Sequence, residues 1–287
     1  MILSDGWKDY EIIETGNGQK LERWDKYVLL RPDPQVIWKT EIKSTGLAHG
    51  IYNRSRSGGG KWDFKSKLPE SWNVCYKDLK FNVRPTGFKH TGLFPEQAAN
   101  WDFIIDTIKN SGRQVKVLNL FAYTGGATVA SLYGGASVCH VDASKGMVQW
   151  AKDNVSLSGL SQKPVRYIVD DVLKFVLREQ RRGNKYDAVI MDPPSYGRGP
   201  NGEIWKLENE LFGLAEECVK VLSEKPLFFI INSYTTGLQA SVLSNILKLT
   251  AGKTKKIKSI QADELGIPVS KQEIVLPCGS TARCIFG

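Results

Sequence analysis

The stretch VLNLFAYTGGATVASLYGG (117–135) passes from an apolar run of strand length, through a glycine turn, into a helical pattern. Outward from it, apolar runs and helical patterns alternate over the second half of the chain. Strands are predicted at QVKVLNLF (114–121), SVCHVD (137–142), VRYIV (165–169), YDAVIMD (186–192) and PLFFIIN (226–232), with two more near KKIKSIQ (255–261) and TARCIFG (281–287). Helices are predicted at 144–159, with Ser144 as N-cap, and at 203–224, where Leu207, Leu211, Leu214, Cys218 and Val221 form one apolar stripe. This alternation specifies an α/β domain with a largely parallel sheet. No good helix separates the last two strands, so the final strand is expected to turn back antiparallel.

Open α/β sheets bind ligands outside the carboxyl ends of their strands, where backbone is bare and helix N-termini point. The turn FAYTGG lacks the G-x-G-x-x-G spacing that brings a helix N-terminus onto a pyrophosphate, which argues against a nicotinamide enzyme. Two adjacent glycines suit a ligand that needs close backbone approach but carries no phosphates, such as an amino-acid-linked adenosine. Asp142 ends the second strand, where a carboxylate could accept from both hydroxyls of a ribose. Asp171 follows the third, placed to accept from an adenine amino group. Each acid, taken singly, reads equally as a helix cap. The fourth strand ends in DPPSYGRG (192–199). Each proline fixes φ and lacks an N–H, so the chain is held rigid beside Asp192.

The chain has 287 residues, enough for one large or two modest domains with a real core. Three segments are expected: a small β-rich domain over 1–85, a linking segment and helix over 86–112, and the α/β domain over 113–287. The first segment holds short extended runs and five of the eight tryptophans. Five cysteines without paired spacing point to reduced thiols and a cytoplasmic setting. No cysteine–histidine cluster has zinc spacing, so no metal is expected. The apolar run LFFII (227–231) is too short to span a bilayer, and the N-terminus does not read as a secretory signal. The net charge of +9 favours polyanions such as RNA, or serves solubility alone. Within NRSRSGGGKWDFK (53–65), Arg54, Arg56, Lys61 and Trp62 suit contacts to RNA phosphates and a base; the alternative is a solvated hairpin tip.

The ordered set LNLFAYTGG, HVDAS, IVDDVLKF and MDPPSYGRG resembles that of a class I S-adenosylmethionine-dependent methyltransferase. More closely, it is similar to the 23S ribosomal RNA methyltransferases of the large-subunit K and I type. The segment FKHTGLFPEQAANW (88–101) is similar to a Gly-x-Phe-x-x-Gln stretch that leads a helix over the cofactor in that family. The resemblance covers about residues 85–287. It implies a Rossmann-like seven-stranded methyltransferase sheet, S-adenosyl-L-methionine as cofactor and RNA, ribosomal in kind, as partner. It further implies that Asn119, Phe121, Ala122, Tyr123, Thr124 and Gly125 line the methionine side. Asp142 with Ala143 and Ser144 would hold the ribose, Asp171 with Val172 the adenine, and Phe94 and Gln97 would close the pocket. Asp192 would stand beside both cofactor and acceptor.

DPPSY resembles the acid-Pro-Pro-aromatic segment with which amino methyltransferases hold an exocyclic amine. Asp192, the Pro193 carbonyl and Tyr196 would supply that clamp, with Ser195 beside them. Carbon methylation at cytosine C5 instead needs a cysteine thiolate that adds to the ring. DPPSYG and INSYTTG (231–237) contain no cysteine, which favours direct in-line transfer to nitrogen. Cys278, expected in the connection that leaves the sixth strand, reads as an inert thiol or as one facing substrate. His140 reads as a core residue, and His90 as a weak functional candidate. A methyltransferase for a protein side chain or small molecule, and a cofactor-binding RNA-interaction protein without turnover, remain as alternatives. A monomer or a homodimer fits equally.

Overall fold

The computed structural model describes residues 1–55, 59–87, 89–198 and 204–287. Arg56 lies outside the described residues. The chain divides into two compact units, Ile2–Ala99 with Leu265–Cys278, and Met1 with Asn100–Glu264 and Gly279–Gly287. Among the described residues, no helix is long and apolar enough to cross a membrane.

The N-terminal unit is built on β1 (Ile2–Leu3), β2 (Tyr10–Gly16), β3 (Gln19–Trp24), β4 (Tyr27–Pro32), β5 (Gly50–Arg54) and β6 (Gly60–Phe64). A separate antiparallel hairpin joins β7 (Trp72–Tyr76) to β8 (Leu79–Val83). β2, β3 and β4 form a meander, β5 lies parallel to β4, and β6 closes the edge antiparallel to β5. The β2–β3 turn places Asn17 and Gly18 at φ of 49° and 77°, the left-handed pair that a two-residue hairpin needs. Ile13, Leu21, Val28, Leu30 and Ile42 pack one face of the meander.

This unit also buries charge. Glu22 on β3 is fully buried, accepts from Tyr10 Oη at 2.8 Å and pairs with Arg31 of β4. Lys20 pairs with Asp33 at 3.1 Å. Burial alone would raise the Glu22 carboxyl, but the Arg31 and Lys20 charges outweigh it and hold the carboxyl below its usual range.

The second unit contains α1 (Ala98–Asn110, from Asn100 on), β9 (Lys116–Leu120), α2 (Gly126–Gly134), β10 (Ser137–Asp142), α3 (Lys145–Leu157), β11 (Val165–Val169), α4 (Val172–Arg181) and β12 (Ala188–Met191). A short hairpin, β13 (Tyr196–Arg198) and β14 (Ile204–Lys206), precedes α5 (Leu207–Lys220), β15 (Phe228–Ser233) and α6 (Ala240–Thr250). Two long strands, β16 (Ile257–Val269) and β17 (Ile274–Phe286), complete the chain. The order is β11-β10-β9-β12-β15-β17-β16, with β17 antiparallel to β15 and the five strands before it parallel. This is the expected Rossmann-like seven-stranded sheet with a reversed last strand.

Strand alternation sorts the side chains into two layers. Leu118, Leu120, Val141, Val189, Met191, Phe229 and Ile231 face a core shared with α4, α5 and α6. Alternate residues Asn119 and His140 face the other layer, where α2 supplies Thr128. The stripe on 203–224 is present, yet the helix begins only at Leu207, because residues 204–206 pair with Tyr196–Arg198 instead.

Asn119 donates to Thr128 Oγ1 at 2.9 Å, and Thr128 Oγ1 lies 2.9 Å from His140 Nδ1. The Thr128 hydroxyl therefore links Asn119 to the imidazole, whose Nε2 is a buried atom without a partner among the described residues. Burial pulls the His140 pKa down to about 3, so it is a neutral core residue. In the N-terminal unit, burial together with repulsion from Arg31, Lys89 and Lys20 lowers His90 to about 4. Both histidines have ordinary values of 6.5 when unfolded. The unfolded chain therefore takes up protons that the folded chain refuses, and stability is fully present above pH 6.5 and lost as pH falls below it. Each histidine contributes a slope of up to about 1.4 kcal/mol per pH unit. Urea midpoints measured from pH 7.5 to 5 should fall through this window, and a flat profile would refute the assignment.

Candidate active site

The register of the parallel strands aligns their carboxyl ends. Leu120 of β9 pairs with Val141 on one side and Met191 on the other. The next residues, Phe121, Asp142 and Asp192, thus leave the sheet level with one another. β10 and β12 flank β9, so Asp142 and Asp192 start roughly 10 Å apart, two strand spacings. Here the chain, having built β10 and β11 to one side of β9, crosses to the other, which makes this the switch point where open sheets bind ligands.

The loop after β9 is strained. Phe121 and Tyr123 adopt φ of 53° and 51°, and Gly125 of 86°. Left-handed backbone at two bulky residues costs on the order of 1–3 kcal/mol each and persists only where surroundings hold it. Ala122 N donates to Val141 O at 3.0 Å, Tyr123 N to Asp142 Oδ2 at 2.8 Å, and Asn154 Nδ2 to the buried Thr124 carbonyl at 2.8 Å. The two glycines serve close packing behind the loop. A Cβ on Gly125 would lie 2.8 Å from the Ala151 Cβ of α3, and one on Gly126 would lie 2.7 Å from the Trp101 ring of α1.

Asp142 is half-buried, and its second oxygen accepts from Ser144 N at 2.8 Å. Burial raises its carboxyl, against the lowering by these two backbone N–H groups. Ser144 in turn caps α3, its Oγ accepting from Met147 N at 3.4 Å, beside exposed Ala143. Asp171 caps α4, accepting from Lys174 N at 2.8 Å, and Val172 is buried in the core. Phe94 and Gln97 belong to the N-terminal unit, where Phe94 opens a 3-10 turn and packs on His90, and Gln97 is buried.

Beyond β12, Asp192 is half-buried, Pro193 buried, and Ser195 and Tyr196 exposed. The Pro194 carbonyl accepts from Trp205 Nε1 at 2.6 Å and the Ser195 carbonyl from Leu207 N at 3.1 Å. The Pro193 carbonyl has no donor among the described residues. Ser195 Oγ accepts from Thr235 Oγ1 at 2.7 Å, and the Trp205 ring packs 5.5 Å from Phe121. Trp205 and Thr235 escaped the sequence reading; a lone tryptophan at the start of a helical stripe carries no local sign that it will brace a strand end.

The remaining candidates lie in the N-terminal unit. Arg54 and Lys61 are exposed, while Trp62 donates to Thr86 O at 2.9 Å and stacks parallel to Phe64 at 5.9 Å. Cys278 lies inside β17, counted with the N-terminal unit, and not in a connection leaving the sixth strand. β17 starts at Ile274, earlier than the apolar run at 281–287 reveals, because this part of the strand is only partly buried.

Residues 43–211 match the family model of S-adenosylmethionine-dependent methyltransferases. The chain belongs to that family. A solved S-adenosylmethionine-dependent methyltransferase from Agrobacterium tumefaciens is 35% identical with a TM-score of 0.91, over 99% of this chain and 92% of the other. Ribosomal RNA large subunit methyltransferase K of Neisseria meningitidis is 26% identical over 81% of this chain and 66% of its own length. Methyltransferase K/L of Shewanella frigidimarina is 34% identical over 50% of this chain, a span that makes up 20% of that larger protein. The cofactor of this methyltransferase is S-adenosylmethionine, and the site suits it. Each Asp142 oxygen keeps a lone pair beyond its backbone bond, matching two vicinal hydroxyls. The loop 121–126 brings no cationic side chain, as a phosphate-free nucleoside requires.

Proposed function

We propose that this methyltransferase modifies a nitrogen of ribosomal RNA by direct in-line transfer. The observation that carries the reading is the Asp192–Pro193 pair: a carboxylate and an undonated carbonyl stand together, while the next two carbonyls are committed to Trp205 and Leu207. An exocyclic amine has two N–H bonds to give, and these are two acceptors. S-adenosylmethionine supplies an electrophilic methyl group on sulfur. Asp142 holds its ribose, the 121–125 backbone its amino-acid part, and Asp171 with Val172 the adenine end. Tyr196, half exposed, offers its ring to the target base.

The thiols argue against a carbon target. Burial raises all five: Cys139 to about 11, Cys284 to about 12, and Cys75, Cys218 and Cys278 likewise upward. None is poised as the thiolate that ring addition needs. The ribosomal substrate is supported by the names of the K and K/L relatives and by the net charge of +9.

Incubation of the chain with methyl-labelled cofactor and unmodified ribosomal RNA, followed by nucleoside mass spectrometry, tests the reading. An N-methylated nucleoside is the expected product. 5-Methylcytidine would overturn the nitrogen assignment, and label confined to protein or metabolite fractions would overturn the RNA assignment.

A further inference from the structure

The N-terminal unit contains a cavity of about 160 Å3 lined by Gly18, Pro32, Asp33, Pro34, Val36, Arg54 and Lys89. That is room for about five waters at roughly 30 Å3 each, or for one tetrahedral anion with part of its hydration. The only carboxylate among the described residues that line it, Asp33, is already engaged by Lys20 at 3.1 Å and by Gln35 N at 3.0 Å. Arg54 and Lys89 have no acceptor at hydrogen-bond or ion-pair distance among the described residues. Arg31, itself committed to Glu22, donates to the Lys89 carbonyl and so fixes the backbone from which that ammonium projects. Its lining thus brings two cations, Arg54 and Lys89, against the one carboxylate Asp33, while Lys20 and Arg31 repel Lys89 from behind the lining. His90, neutral above about pH 4, adds no charge. Burial lowers the Lys89 ammonium, with repulsion from Lys20, Arg31 and Arg54 set against the pull of Asp33.

We propose that this cleft binds a phosphate group, with Arg54 and Lys89 as its donors, and that the group is a backbone phosphodiester of the RNA substrate. Guanidinium and ammonium offer several N–H donors to the anionic oxygens, and a phosphate contact positions RNA without reading its sequence. Only the source of the phosphate rests on the RNA reading above.

The test uses the full chain, an oligouridylate and inorganic pyrophosphate. The double variant Arg54→Gln/Lys89→Gln should bind oligouridylate about tenfold more weakly at low salt. Its slope of log affinity against log salt should shrink by about 0.7 per lost contact. Pyrophosphate should compete on the wild type and not on the double variant. Lys26→Gln, which removes an exposed charge from the β3–β4 turn, should leave the slope unchanged. Wild-type affinity and slope in the double variant would overturn the inference, as would a wild type that binds neither probe. If pyrophosphate binding is lost in the double variant while no methyl group enters RNA, the phosphate site stands and the RNA reading falls.

Discussion

Asp192→Ala should lower methyl transfer by about 100-fold or more while leaving affinity for S-adenosylmethionine intact. The physical case is positional. Methyl transfer needs the acceptor lone pair in line with the carbon–sulfur bond, and misplacement by about 1 Å costs on the order of 100-fold. Asp192 leaves β12 level with Phe121 and Asp142, and the chain behind it is locked by Pro193, by Trp205 Nε1 on the Pro194 carbonyl and by Leu207 N on that of Ser195. Alanine removes the one charged acceptor and leaves this brace intact. Asp192→Asn, which keeps one acceptor oxygen, should retain more activity than alanine. Single-turnover transfer to RNA and calorimetry with the cofactor separate the two effects. Full activity in Asp192→Ala would remove this residue from the site.

Arg31→Met should destabilise the N-terminal unit by about 3–5 kcal/mol, the usual cost of breaking a buried pair and stranding one charge. Glu22 would keep only Tyr10 Oη at 2.8 Å and a Lys20 ammonium 4.0 Å away. The double variant Glu22→Gln/Arg31→Met should recover much of the loss, since a neutral amide leaves no unpaired charge. The sign with pH follows from the lowered Glu22 carboxyl: its contribution is present above its unfolded value of 4.5 and lost as pH falls through the lower folded value. Urea unfolding at pH 7 measures the effect, and a loss under about 1 kcal/mol would sink the assignment of Glu22–Arg31 as a structural pair.

Local patterns foretold the second unit well. Val165–Val169 and Ser137–Asp142 are strands over the same residues as their apolar runs, and Ser144 caps the helix it precedes. These features rest on neighbours in the chain: a short run of apolar residues, a hydroxyl three residues before a free N–H. The β13–β14 hairpin was not legible, because its pairing competes with a helical stripe that starts only at Leu207. The glycine pair was read for the ligand, whereas in the fold it admits Ala151 and Trp101, residues distant in sequence. The Glu22–Arg31 pair showed no sign in a run of alternating charges, since burial is set by what packs on both faces.

By itself, then, the sequence determined which strands end in acids and that a doubly proline-locked segment follows one of them. Tertiary structure alone decided that Leu120 pairs with both Val141 and Met191, which brings Asp142 and Asp192 level across β9. It also decided that Pro193 keeps its carbonyl while its neighbours lose theirs to Trp205 and Leu207. The reason is that side-chain periodicity is a property of one segment, whereas register and hydrogen-bond partnership depend on which other segment lies alongside.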